Sequence, residues 1–446
     1  MRDNLYSRAV RAIRGNKRIS RLAREGGWIV IGQIATVLGA LVLVRVLTEY
    51  LDPVQYGQLA LALTVAALMN QVVMGGVAAG IGRFYSISAE KHDVFGYLRA
   101  SSWMMLLATL AVAVIGFALE AGLVWLGYSQ WMGLAAAALM LSVLSGYNSA
   151  LNAIQNAARH RVIVAFHSGL DAWLKILLAL GVMIWLGVHS TAVVIGFALS
   201  SLFVTASQYF FLRSIVRDRA KQVGDNQQWM RQMWLFSWPL VAGGLFNWGY
   251  YASQRWALEL FATTSDVGQF YALTQIAYTP ISMAGTMLLS FLMPILFAKA
   301  GDATDRDRLR NTHRIVMHVA VIGLSISLVI AIISFFAHDL IFRLMVAPKY
   351  RSISVYMPYV VLAAGILQVS HTLGSMMLTN KRTSSVLPLA IIGQLYIAGQ
   401  NFVFVYFFEI TGLVVSMIIG SIIHLVWMAI IVMRSNENNL FRYFEK

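Results

Sequence analysis

Stretches of about 20 predominantly apolar residues, the length a helix needs to cross a bilayer, recur along this chain at 27–47, 57–81, 100–120, 132–154, 163–187, 191–212, 234–258, 269–297, 315–337, 354–378, 385–407 and 412–433. Inside hydrocarbon every backbone N–H and C=O needs a partner, and a helix supplies those partners within its own segment. About 12 transmembrane helices in an all-α polytopic membrane protein are therefore predicted. The composition agrees: 59% of residues are hydrophobic and 12% charged, with a mean hydropathy of +0.69. A soluble domain holds about 45–50% apolar residues. The chain has no cysteine, which excludes disulfides, a thiolate nucleophile and a zinc-thiolate site. Its first span follows a long basic stretch and leads directly into others, so it reads as a retained helix rather than a cleaved signal.

Charge orients the spans. Of the 34 Lys and Arg residues, 28 fall before the first span, in alternate loops and in the tail. The opposite side carries Arg45, at the outer end of the first span, with Arg343, Lys349 and Arg351, and the remaining two, Lys175 and Arg255, are counted within spans. This asymmetry follows the positive-inside rule and predicts that both termini are cytoplasmic. The net charge of +15 is then mostly a topology signal and calls for no nucleic-acid partner. The expected organisation is a basic amphipathic segment at 1–26, a first lobe of six helices at 27–212, a cytoplasmic connection at 213–233, a second lobe at 234–433 and a tail at 434–446. The segment 1–26 suits either an amphipathic helix on an anionic leaflet or a solvated basic arm.

One phrase occurs twice. RVLTEYLDPVQYGQLAL starts at Arg45, and RWALELFATTSDVGQFYAL starts at Arg255, 210 positions later. Each has an arginine, a glutamate four residues on, an acidic turn, Gly-Gln and an apolar run. The interval is close to half the chain, so the phrase marks two parallel, pseudo-symmetric six-helix repeats, with a substrate path expected between them. In each copy the Arg-to-Glu spacing puts both charges on one helical face, where Arg45 can pair with Glu49 and Arg255 with Glu259.

At this point the chain resembles a known family. LVRVLTEYLDPVQYGQLALALTV is similar to the first-to-second-helix signature of the bacterial polysaccharide-transport proteins, the O-antigen type flippases of the multidrug/oligosaccharidyl-lipid/polysaccharide exporter superfamily. FSWPLVAGGLFNWGYYASQRWALELFATTSDVGQFYALTQIAYTPI resembles their seventh and eighth helices, and VAPKYRSISVYMPYVVLAAG their ninth-to-tenth connection. The resemblance implies two lobes around a central cavity that opens alternately to each side. It also implies an undecaprenyl-diphosphate-linked glycan as substrate, membrane lipids, a polysaccharide polymerase and assembly proteins as partners, and a bacterial inner membrane as location. Many relatives carry Asp-Arg where this chain has Gln254-Arg255, and Glu259, one turn on, could replace that carboxylate.

Ionisable residues at bilayer depth face protein or water. Asp171 and Lys175, four apart in the fifth span, either neutralise each other or form a coupling site, with Asp171 taking a proton or sodium ion and Lys175 meeting an anionic substrate. Arg83, at the end of GGVAAGIGRFYS, is either a positive-inside anchor or a bidentate diphosphate ligand. Arg255 follows Asn247, Tyr250, Tyr251 and Gln254 on a helix rich in amides and rings, a surface suited to sugars. Arg45 and Arg255, with Glu49 and Glu259 one turn outward, are either braces at the outer mouth or cavity lining and gates. Amides and histidines such as Asn148, Gln155, His167 and Gln208 serve as helix-to-helix glue or line a hydrated path.

Other classes fit less well. The chain contains no Gly-Lys pair, so it lacks a Walker phosphate loop, and it has no HExxH or GxSxG motif. No cofactor is expected, and active transport would draw on a proton or sodium gradient. The alternatives are a cation-coupled multidrug exporter of the same superfamily and a non-transporting scaffold for glycan assembly. Arginine and lysine dominate the candidate residues, which favours an anionic substrate over a cationic drug.

Overall fold

A computed structural model describes residues 17–216, 226–301, 305–379 and 389–441. All regular structure among the described residues is helical. The helices are α1 (Lys17–Tyr50), α2 (Pro53–Leu68), α3 (Gly75–Glu90), α4 (Val94–Trp125), α5 (Met132–Ala157), α6 (Arg161–Leu186), α7 (Ser190–Val216), α8 (Asn226–Phe261), α9 (Thr264–Ala277), α10 (Thr279–Ala300), α11 (Arg306–Met345), α12 (Met357–Thr379) and α13 (Gln394–Phe441). A π-helical turn, Met69–Met74, joins α2 to α3, and a 3₁₀ segment, Pro348–Tyr356, leads into α12.

Among the described residues, ten helical stretches are long and apolar enough to cross a membrane. They match the sequence-predicted spans with three instructive differences. The predicted seventh span is within α8, which is too polar to be among the ten: its first turns read NQQWMRQ, and Asn247, Ser253, Gln254 and Arg255 lie toward its end. The eleventh and twelfth spans form one stretch, Ile391–Arg434, broken at Glu409, whose φ of 49° takes the backbone out of the helix. The eighth span is two helices, because Pro280 at the start of α10 has no N–H to continue the ladder from α9. The predicted amphipathic segment lies partly outside the described residues; from Lys17 its backbone is already part of α1. Residues 217–225 of the connecting loop and 442–446 of the tail also lie outside them.

The chain forms two compact units. The first comprises Met1–Leu43 and Val65–Val241, the second Val44–Thr64 and Ala242–Lys446. This differs from a division at the connecting loop: the end of α1 and most of α2 group with the second unit, and the first half of α8 with the first. Packing explains the exchange. In the first unit Trp229 donates from Nε1 to Asp93 Oδ2 at 2.7 Å, and Asp93 also caps α4 by accepting from Gly96 N. The fully buried Tyr97 donates to the Ile81 carbonyl at 2.6 Å, within a core that includes Met74, Met104 and Met233. The second unit has its own core of Leu292, Leu296, Val316, Met376, Met377 and Met428. Large apolar side chains left exposed, such as Trp125 at 85% and Trp185 at 89%, sit at the ends of α4 and α6, as an interfacial aromatic belt requires.

Candidate functional site

The two copies of the repeated phrase meet within the second unit. Each acidic turn is a helix N-cap. At the start of α2 the Asp52 carboxylate accepts from Gln55 N–H at 2.8 Å. At the start of α9 Thr263 Oγ1 accepts from Asp266 N–H at 3.2 Å, and Asp266 Oδ2 accepts from Thr263 N–H at 3.1 Å, a reciprocal capping box. The Gly-Gln after each cap is where the copies touch. A Cβ on Gly57 would lie 3.1 Å from Gly268 N and nearer still to the Thr264 carbonyl oxygen; a Cβ on Gly268 would lie 2.9 Å from Gly57 N and nearer still to the Pro53 carbonyl oxygen. Only two glycines allow this approach, so the repetition encodes a self-complementary contact.

The same end of the unit absorbs the third signature, VAPKYRS. Tyr350 is fully buried and donates to the Leu51 carbonyl at 2.9 Å. Ala347 N–H donates to Thr48 Oγ1 at 3.3 Å, and Lys349 Nζ to the Glu49 carbonyl at 3.2 Å. Tyr56 stacks at a tilt on Tyr271, with centroids 5.1 Å apart, and edge-on against Tyr350 at 5.7 Å.

Arg255 is built into this cluster. Its Nη1 donates to the Ala60 carbonyl at 3.1 Å, and its Cζ lies 4.5 Å from the Tyr271 ring centroid, a cation–π contact. The two copies differ here. Arg45 pairs with Glu49 at 3.0 Å, both side chains exposed. Glu259 instead accepts from Thr264 Oγ1 at 3.0 Å, so the expected Arg255–Glu259 brace is replaced. The reason is the cap: Thr264 follows the Thr263 turn and offers Glu259 a hydroxyl, while Tyr271 and the Ala60 carbonyl on α2 draw the guanidinium away.

Just before it on α8, Gln254 is buried and Asn247 half-buried. Tyr250 and Tyr251 pack ring to ring at 4.8 Å, and Tyr251, 38% exposed, also meets Tyr278 at 6.4 Å. Trp248 donates to the Thr64 carbonyl at 2.7 Å and Trp256 to Thr64 Oγ1 at 2.9 Å. Ser253 accepts from Asn401 at 2.8 Å, and Asn401 accepts from Ser416 at 2.7 Å.

The remaining predicted residues are in the first unit. Lys175 Nζ lies 2.5 Å from Asp171 Oδ2, with both side chains partly buried. Ser200 Oγ on α7 reaches Asp171 Oδ1 at 3.0 Å, so the carboxylate is held from two helices. One turn before Asp171 on the same face, the buried His167 places Nδ1 2.8 Å from the Ile163 carbonyl and Nε2 3.0 Å from Ser207 Oγ. The carbonyl can only accept, so Nδ1 carries a proton, and in a neutral ring that leaves Nε2 to accept from Ser207. Farther along α7, Gln208 donates to Asn148, which also accepts from Asn152 at 3.1 Å. His167, Ser200 and Ser207 were not singled out with Asp171 from sequence, although the i, i+4, i+8 series His167, Asp171, Lys175 was a visible signal. Arg83 is exposed on α3.

Residues 22–299 match the family model described as polysaccharide biosynthesis protein. No curated protein matches. Among solved structures, the fold is similar to the inward-facing conformation of a multidrug resistance MATE family transporter of the MOP superfamily, at 14% identity over 91% of this chain and 96% of that one, with a TM-score of 0.69. It is similar to the MATE multidrug transporter DinF-BH, solved as a complex, at 16% identity over 93% and 95%, TM-score 0.66. It is also similar to a Pyrococcus furiosus MOP superfamily transporter whose binding pocket is described as reversed in polarity, at 14% identity over 92% and 96%, TM-score 0.58.

Proposed function

From the premise that this chain belongs to the polysaccharide biosynthesis protein family and has the fold of MOP superfamily transporters, we propose that it is a flippase. It carries an undecaprenyl-diphosphate-linked oligosaccharide from the cytoplasmic to the periplasmic leaflet of a bacterial inner membrane, by alternating access and with both termini cytoplasmic. The observation that carries this reading is the Lys175–Asp171 pair, 2.5 Å apart and held by Ser200. A carboxylate already neutralised by an ammonium is a poor receptor for a cationic drug. It is a good exchange site: an arriving diphosphate competes for Lys175, and the released Asp171 takes a proton or sodium ion. Arg83, exposed on α3, supplies a guanidinium for initial capture. Tyr250, Tyr251, Asn247 and Gln254 supply ring faces and amides to the glycan, with Arg255 and Arg45 near the outer side and Glu49 and Glu259 as gating carboxylates.

The test is translocation in proteoliposomes. Lipid-linked oligosaccharide is placed in one leaflet, and its exposure to an added glycosidase is followed for the unaltered protein and for Arg83→Gln and Asp171→Asn, with proton and sodium gradients imposed. Protein-dependent exposure that both changes reduce, with folding intact, is expected. The structural likeness to multidrug transporters favours a second reading, cation-coupled drug export. Gradient-driven efflux of a cationic dye without glycan-lipid exposure would decide for it, and neither activity would leave a scaffold role.

A further inference from the structure

The first unit holds an apolar groove of about 620 Å³ that none of the roles above uses. It is walled by the π turn and α3 (Val73, Val77), by α4 (Leu107, Ala111) and by the first half of α8 (Trp234), and among the described residues its single charged lining residue is the exposed Arg231. Its origin lies in local structure. Asn70 Nδ2 donates to Ser145 Oγ at 2.7 Å, and this bond sits in the six-residue π turn, whose wider backbone turns Val72 and Val73 toward the groove. Arg231 lies one turn before the predicted seventh span, at the end that the charge count assigns to the cytoplasm.

We infer that this groove holds the polyprenyl tail of the substrate, with Arg231 bound to the diphosphate at its mouth; the inference rests on the flippase reading. Two features select this occupant. Valine is the commonest lining residue, beside Leu107, Ala108, Ala111, Met104, Met230 and Trp234, and its branched surface matches a chain bearing a methyl on every isoprene unit. One arginine at the headgroup end complements a diphosphate with charge-assisted hydrogen bonds, and among the described residues no carboxylate lines the groove to oppose it. The tail would then stay at the flank of the first unit while the glycan moves elsewhere, so the protein need not draw the whole lipid through a polar path.

The experiment uses a polyprenyl diphosphate whose tail carries a photoactivatable diazirine, added to the full chain in nanodiscs, with labelled peptides located by mass spectrometry. Labelling is expected on α4 around Leu107 to Ala111 and on α8 around Met230 to Trp234. Ala111→Trp, or Val73→Phe where the first variant is unstable, should lower it about ten-fold. Arg231→Gln should lower labelling by the diphosphate but not by the neutral polyprenol. Labelling at other helices, or equal competition by an equimolar amount of phosphatidylglycerol, would overturn the assignment. Translocation measured on the same preparation separates the two claims. Transport with labelling elsewhere removes the groove and keeps the flippase; no transport and no labelling anywhere removes both.

Discussion

Replacing Gly57 by alanine should weaken the second unit by a calculable amount. The new methyl would stand 3.1 Å from Gly268 N and closer to the Thr264 carbonyl. These are backbone atoms at the first turn of α9, which cannot rotate aside, so α2 and α9 must separate. Overpacking of this kind costs about 1–3 kcal/mol, and backbone obstacles place it near the top of that range. Against it, alanine in a helix is favoured over glycine by about 1 kcal/mol. The net expectation is about 2 kcal/mol, a factor of about 30 in the folded-to-unfolded ratio. Gly268→Ala should cost a similar amount, since its methyl meets Gly57 N at 2.9 Å and the Pro53 carbonyl. Both methyls demand the same separation, so the double variant should cost at least about 1 kcal/mol less than the sum. Gly243→Ala and Gly249→Ala in α8, where a Cβ meets nothing within 4 Å, serve as controls and should not destabilise. Tryptophan fluorescence across a denaturing-detergent series reads all five proteins. Additive costs, or a Gly57→Ala protein as stable as the controls, would refute the shared-contact argument.

Three further outcomes are expected. Lys175→Met and Asp171→Asn singly should each cost more stability than the two together, because each single change leaves one embedded polar group without its 2.5 Å partner, whereas translocation should fall in all three variants; a double variant that transports as well as the unaltered protein would count against the exchange role. Thr263→Ala should cost about 1 kcal/mol by removing a capping box at α9, read by the same detergent series. Arg255→Lys should not rescue Arg255→Gln in stability, since an ammonium cannot both reach the Ala60 carbonyl and lie flat over Tyr271 as the guanidinium does; full rescue would show that charge alone matters there.

Much of this was legible in the sequence for a physical reason. Span length is set by hydrocarbon thickness and by backbone hydrogen bonding, and both leave a mark on every residue of a span. The ends of the spans were less legible: Glu409 breaks α13 through a backbone angle that no composition announces. At the candidate site, Asp171 and Lys175 were readable because they share one helix, and their spacing is a contact. The partners of Arg255 were not, because Ala60 is 195 positions away and contributes a carbonyl, which every residue has. The same holds for Tyr350 and Leu51, 299 apart.

That difference bears on where substrate recognition lies. The residues that make this chain recognisable are largely occupied: Arg255 by Ala60 and Tyr271, Tyr350 by Leu51, Thr48 by Ala347, Trp248 and Trp256 by Thr64, and the two glycines by each other's helix. Most of these bonds end on backbone atoms, so they hold helix ends in place whatever cargo passes. A side chain held in that way meets a ligand only with what is left over, as with the guanidinium N–H groups of Arg255 beyond the one on Ala60. Chains with different substrates can therefore share such contacts. Discrimination among cargoes must come from side chains that hold no helix end. Tyr251, exposed beside Tyr278, is such a residue in the second unit, and the exposed Arg83 and Arg231 are such residues in the first. Exchanging those positions between relatives should move substrate preference, whereas exchanging Tyr350, Thr48 or the two glycines should move mainly stability.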